Sequence, residues 1–105
     1  MHFTLKQVRY FVAVAEFGTV SRAAQELSIS QSAVTEGIKD LEAHLGVKLF
    51  ERRRRGLDTT HQGHIFLRHA KAILTEVVNA ETSLSGASNE MRGKLNIGVT
   101  SLTAG

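Results

Sequence analysis

From Phe66 to Met91 the apolar residues Phe66, Ala70, Ile73, Val77, Ala80, Leu84, Ala87 and Met91 recur at alternating spacings of four and three. That is a heptad seam, the stripe by which one long helix packs along another. The chain contains no proline, the residue that most often breaks a helix interior. A helix from Thr60 to about Ser88 would be about 43 Å long at ~1.5 Å per residue. A helix of that length is too long to be a core element of a small domain, so the seam predicts a partner helix. Its dimerisation residues are expected to be Phe66, Ala70, Ile73, Val77, Ala80 and Leu84. Gly86 weakens the last turn, and the seam is drawn only as far as Leu84.

The residues before Thr60 follow shorter periods. Leu5, Val8, Phe11, Val12 and Ala15 mark one face of a helix that Gly18 stops. A short helix follows from about Val20 to Leu27, capped by Thr19, with Ala23, Ala24 and Leu27 facing inward. "SIS", Ser28 to Ser30, leaves room only for a tight turn. Ser30 then caps a third helix, which carries Val34, Ile38, Leu41 and Leu45 and ends at Gly46. In "VKLFERRRRGLDTT", Leu49 and Phe50 resemble a strand, Gly56 a turn and Leu57 to Thr59 a return strand. At the other end of the chain, "GKLNIGVTSL" alternates Leu95, Ile97 and Val99 with a strand period. It reads as the opening of a second domain that this sequence does not contain. The expected division is 1–60, 61–90 for the long helix, and 91–105 for the start of that further domain.

Composition narrows the function. Apolar residues are 42% and charged residues 22% of the 105, as in a folded domain. With no cysteine, a disulfide framework and a thiolate metal site are excluded, and a reducing cytoplasm is the expected location. No apolar run approaches the ~20 residues of a membrane span, and no secretion signal opens the chain. Net charge is only +3, so its distribution matters more than its size. Residues 1–60 hold nine Lys or Arg against seven Asp or Glu, and four of the nine are consecutive, Arg52 to Arg55.

Two helices joined by a tight turn, with small residues where they cross, fit a helix-turn-helix. The exposed N-terminal face of the second helix is then Gln31, Ser32, Thr35, Glu36 and Lys39. These side chains are suited to reach base edges in a major groove. A polar solvent face on a plain helical hairpin has the same pattern. The arginines favour DNA, because a basic hairpin directly after a helix-turn-helix is a wing. Arginine at a wing tip can enter a narrow minor groove or hold phosphates. Two other classes fit less well. His61, His64 and His69, with Glu76, could suggest a metal or catalytic site, but no adjacent carboxylate completes a ligand set. Nucleophile motifs and glycine-rich phosphate cradles are lacking. No metal, catalytic residue or cofactor is therefore expected in this chain. A pure dimerisation module would explain the seam but not the arginines.

The blocks "RAAQELSISQSAV", "LE..LGVKLFER" and "TTHQG" occur in order. On these the chain resembles the N-terminal part of a LysR-type transcriptional regulator. The resemblance implies a mainly α winged helix-turn-helix, three helices and a two-stranded wing, followed by a long dimerisation helix. It implies sequence-specific binding to double-stranded DNA at an inverted-repeat operator, as a dimer or possibly a tetramer. It also implies a small-molecule inducer, bound in full-length relatives by an effector domain whose first strand "KLNIGVTSL" resembles. By position it places Gln31, Ser32, Thr35 and Glu36 at base-reading sites, and Ser21 and Arg22 near backbone phosphates. It places Arg53, Arg54 and Arg55 in the wing; Arg52 matches an arginine that is structural or DNA-directed. Ser32 is often proline in the family. Glu36 is the larger departure, since a carboxylate is repelled by phosphates yet can accept from cytosine N4. Gly37 serves either close approach to DNA or a small helix contact.

Overall fold

The computed structural model describes residues 2–91, with side chains through residue 85. The tail strand expected around Leu95 to Val99 lies outside the described residues, as do the side chains of Ala87 and Met91. The elements run α1 (Leu5–Phe17), α2 (Val20–Leu27), α3 (Gln31–Leu45), β1 (Phe50–Arg53), β2 (Gly56–Thr59) and α4 (His61–Met91). The strands form one antiparallel hairpin, with Phe50 opposite Thr59 and Glu51 opposite Asp58. Among the described residues, no helix is long and apolar enough to cross a membrane.

Helices α1, α2 and α3 each start and stop on a local signal. Thr4 opens α1 with a capping box: its Oγ1 accepts from the Gln7 N–H at 3.2 Å, while the Gln7 side chain accepts from the Thr4 N–H at 3.1 Å. Thr19 and Ser30 cap α2 and α3 through their hydroxyls. Gly18 and Gly46 close α1 and α3 in the left-handed region. The turn after α2 uses Ser28 instead, at φ +59°.

The chain divides into two compact units, one through Ala72 and one from Ile73 onward. The first is built on α1, which packs on both α2 and α3; its Val8, Phe11 and Val14 are buried, as are Ala23 and Ala24 of α2 and Val34, Ile38 and Leu41 of α3. The buried stripe of α1 differs from the one expected. Ala13 and Val14 are inside, Leu5 is 47% exposed, and Val12 and Ala15 are half-buried. Two helices and the wing press on α1 from different sides, so its buried arc is wider than one stripe and leaves out its first residue, Leu5. Leu27, Ile29 and Leu45 are likewise only half-buried.

Phe11 is the centre of an aromatic cluster. Its ring lies 5.2 Å from Phe50 and 5.3 Å from Phe66, and Phe66 meets Phe3 edge to face at 5.6 Å. The compact unit thus extends past residue 60 and includes the first turns of α4. Two residues of the expected seam, Phe66 and Ala70, lie in these first turns. Ala70 is fully buried, and Phe66, half-buried, packs against Phe11 and Phe3 of the same chain.

Candidate nucleic-acid interface

Helix α3 is sharply two-faced. Val34, Gly37, Ile38 and Leu41 are buried, while Gln31, Ser32, Glu36 and Lys39 are exposed and Thr35 is half-buried. The five polar residues therefore lie together on the side away from α1. Gly37 is on the opposite side. A Cβ there would meet Tyr10 Cδ2 at 2.5 Å, so this glycine serves helix contact, with α3 lying directly on the Tyr10 ring of α1.

Ser21 and Arg22 occupy the exposed first turn of α2. The Arg22 N–H donates to Thr19 Oγ1 at 3.0 Å, and its guanidinium carbon lies 5.4 Å from the centre of the Phe17 ring.

The wing turns at Arg54 and Arg55. Gly56, at φ +106°, completes the reversal, which explains why a glycine ends the arginine run. Gly56 also has no room for a side chain, because a Cβ would lie 2.5 Å from the Gly18 carbonyl oxygen. That same oxygen accepts from the Leu57 N–H at 2.9 Å. The hairpin is thereby tied to the turn between α1 and α2.

The four arginines are not equivalent. Arg53 donates from Nη2 to Glu51 Oε2 and lies with its Nε against Asp58 Oδ2, both at 3.2 Å. Among the described residues, Arg52, Arg54 and Arg55 form no ion pair. Arg54 and Arg55 are exposed at the tip.

Three further residues hold the wing in place. The Glu42 carboxylate accepts from the Leu49 N–H at 2.8 Å and the Phe50 N–H at 3.4 Å. From the other side Thr60 donates its hydroxyl to the Lys48 carbonyl at 2.6 Å and its N–H to the Leu49 carbonyl at 2.9 Å. Its Oγ1 accepts from the Gly63 N–H at 3.0 Å, so it also caps α4. A Cβ on Gly63 would overlap the Leu49 carbonyl oxygen. The "LE..LG" and "TTHQG" blocks are thus the two sides of one clamp on Lys48 to Phe50. Composition and spacing carried no signal for that role, because every partner is distant in sequence.

The remaining expected residues lie apart. Ile73 and Val77 are half-buried, Ala80 is exposed and Leu84 is 73% exposed. His61, His64 and His69 are exposed, and no three His, Asp or Glu side chains converge among the described residues.

The comparisons agree with this architecture. The CfxR transcriptional regulator of Cupriavidus necator is 41% identical over 98 residues, which is 93% of this chain and 31% of CfxR. The chain spans about a third of the length of such relatives. The crystal structure of the CbnR DNA-binding domain with DNA superposes with a TM-score of 0.75 at 40% identity, over 81% of this chain and 98% of that one. The BenM DNA-binding domain with benA site 1 DNA gives 0.74 at 36%, over 78% and 95%. The family model described as "Bacterial regulatory helix-turn-helix protein, lysR family" matches residues 5–64. With its winged helix-turn-helix in place, the chain belongs to the LysR family of bacterial regulatory helix-turn-helix proteins.

Proposed function

We propose that this chain is the DNA-binding and dimerising part of a LysR-type transcriptional regulator that reads an inverted-repeat operator in double-stranded DNA. One observation carries the reading: the exposed polar face of α3 shares a compact unit with a hairpin whose tip is Arg54-Arg55. The likeness to domains solved with DNA supports it. Gln31, Ser32, Thr35, Glu36 and Lys39 enter the major groove and choose sequence. Arg54 and Arg55 reach the minor groove or its phosphates, and Ser21 and Arg22 meet the backbone. Two copies pair along Ile73, Val77, Ala80 and Leu84, which sets two recognition helices on successive half-sites. The role is binding rather than catalysis, exercised in the cytoplasm. In the whole protein a small-molecule inducer, held by an effector part beginning near residue 91, modulates it.

The test is fluorescence anisotropy with a selected pool of short duplexes at two salt concentrations. Enrichment of a two-fold-symmetric site, with affinity falling steeply as salt rises, is expected. Absence of binding at low salt would return the arginines to a solvated surface. With the operator in hand, Glu36→Ala is expected to relax preference at one base pair, costing about 1–3 kcal/mol of discrimination there. An unchanged sequence preference would remove Glu36 from the reading set.

A further inference from the structure

We infer that Arg53 is the charge-compensating residue of the wing rather than one of its DNA ligands. It screens Glu51 and Asp58 so that Arg54 and Arg55 can approach a polyanion. The inference rests on the DNA reading above and deepens it.

The register sets Glu51 directly opposite Asp58. Like charges facing each other across an antiparallel pair repel. Arg53 is two residues from Glu51 and therefore on the same face of the hairpin. Its guanidinium meets both carboxylates, through Nη2 and Nε, at 3.2 Å each. The second oxygen of Asp58 accepts from the Thr59 N–H at 3.1 Å, which holds that carboxylate at the strand. All three side chains are more than half exposed, so these pairs contribute little to folding. Their consequence lies in the field around the tip. Glu51 and Asp58 are each three residues from the Arg54-Arg55 turn, about 10 Å of extended strand, which is about one Debye length at ~0.1 M salt and less than one at lower salt. If Arg53 turned to a phosphate, it would leave two uncompensated carboxylates beside the DNA backbone. Arg54 and Arg55 carry no such penalty, because they have no carboxylate partner among the described residues.

The experiment is a double-mutant cycle on the full chain. It uses a labelled mixed-sequence duplex at a series of salt concentrations, with circular dichroism melts confirming that each variant folds. Arg53→Gln alone is expected to weaken binding about tenfold at low salt, because it unmasks both carboxylates. In the Glu51→Gln/Asp58→Asn background the same change is expected to cost less than about twofold. The salt slope of that triple variant is expected to match wild type. Equal losses from Arg53→Gln in the two backgrounds, with a slope smaller by about 0.9, would make Arg53 a phosphate ligand and overturn the inference. Failure of the wild-type chain to bind any duplex would overturn the DNA reading itself, and this inference with it.

Discussion

Gly37 and Ser28 show opposite relations between a residue and its backbone. In an unpacked helix, Gly37→Ala would gain about 1 kcal/mol from helix propensity. Here the added Cβ meets Tyr10 Cδ2 at 2.5 Å, and overpacking of this kind costs about 1–3 kcal/mol. Gly37→Ala is therefore expected to lower Tm, and shortening Tyr10 to Leu in the same chain should recover part of the loss. A thermal melt of the two variants checks this; a higher Tm for Gly37→Ala alone would show that the ring yields. Ser28 holds φ +59° without being glycine, a conformation costing about 1–2 kcal/mol for a residue with a Cβ. Ser28→Gly is expected to stabilise by about 0.5–1 kcal/mol after the greater freedom of the unfolded glycine is subtracted. Urea midpoints would measure it, and no gain would mean that the turn is unstrained.

At the scale of elements, the wing and α4 are one mechanical assembly. The hairpin is fastened to the α1–α2 turn through Leu57 and Gly18, to α3 through Glu42, and to α4 through Thr60 and Gly63. Gly63 is the tightest of these points, because its neighbour is a backbone carbonyl that cannot rotate away. Gly63→Ala is expected to destabilise by about 2 kcal/mol or more and to weaken DNA binding through displacement of the wing. A Gly63→Ala variant with unchanged melting and unchanged anisotropy would show that the start of α4 can shift without disturbing the wing. The carboxylate of Glu42 plays the matching part on the α3 side, with its side chain 14% exposed. Losing it would leave the buried Leu49 N–H without a partner, and such groups are costly.

At the scale of the whole molecule, α4 serves two purposes along its length. Its first turns, with Phe66 and Ala70, complete the core around Phe11, while its later turns expose Leu84 at 73% and Val78 at 57%. The proposed dimer therefore uses only the later part of the heptad series. Val77→Glu, which buries a charge at the centre of that shortened seam, is expected to give a monomer by sedimentation at micromolar concentration. It should leave the fold of the first unit intact by circular dichroism. A dimer that survives Val77→Glu would move the interface elsewhere.

How much of this was legible beforehand follows the range of each interaction. Helix bounds were readable where capping is local: Thr19 and Ser30 accept from the first turn that follows them, and Gly18 and Gly46 adopt the closing φ on their own, whereas the Thr4 cap of α1 was not anticipated. The wing was readable from the run ending in Gly56, and the exposed polar face of α3 from its period. Contacts between distant residues were not. No spacing could say that Tyr10 lies on Gly37, that Glu42 holds Leu49, or that Thr60 reaches Lys48. Nor could a run of four arginines reveal that one faces two carboxylates. By itself the sequence determined the elements, their ends and their apolar periods, because these depend on backbone geometry within a few residues. Only the tertiary structure decided what each face meets, including that Phe66 and Ala70 belong to the chain's own core. A heptad records that a stripe is apolar, and the same burial stabilises it whether the covering surface is α1 or a partner's helix.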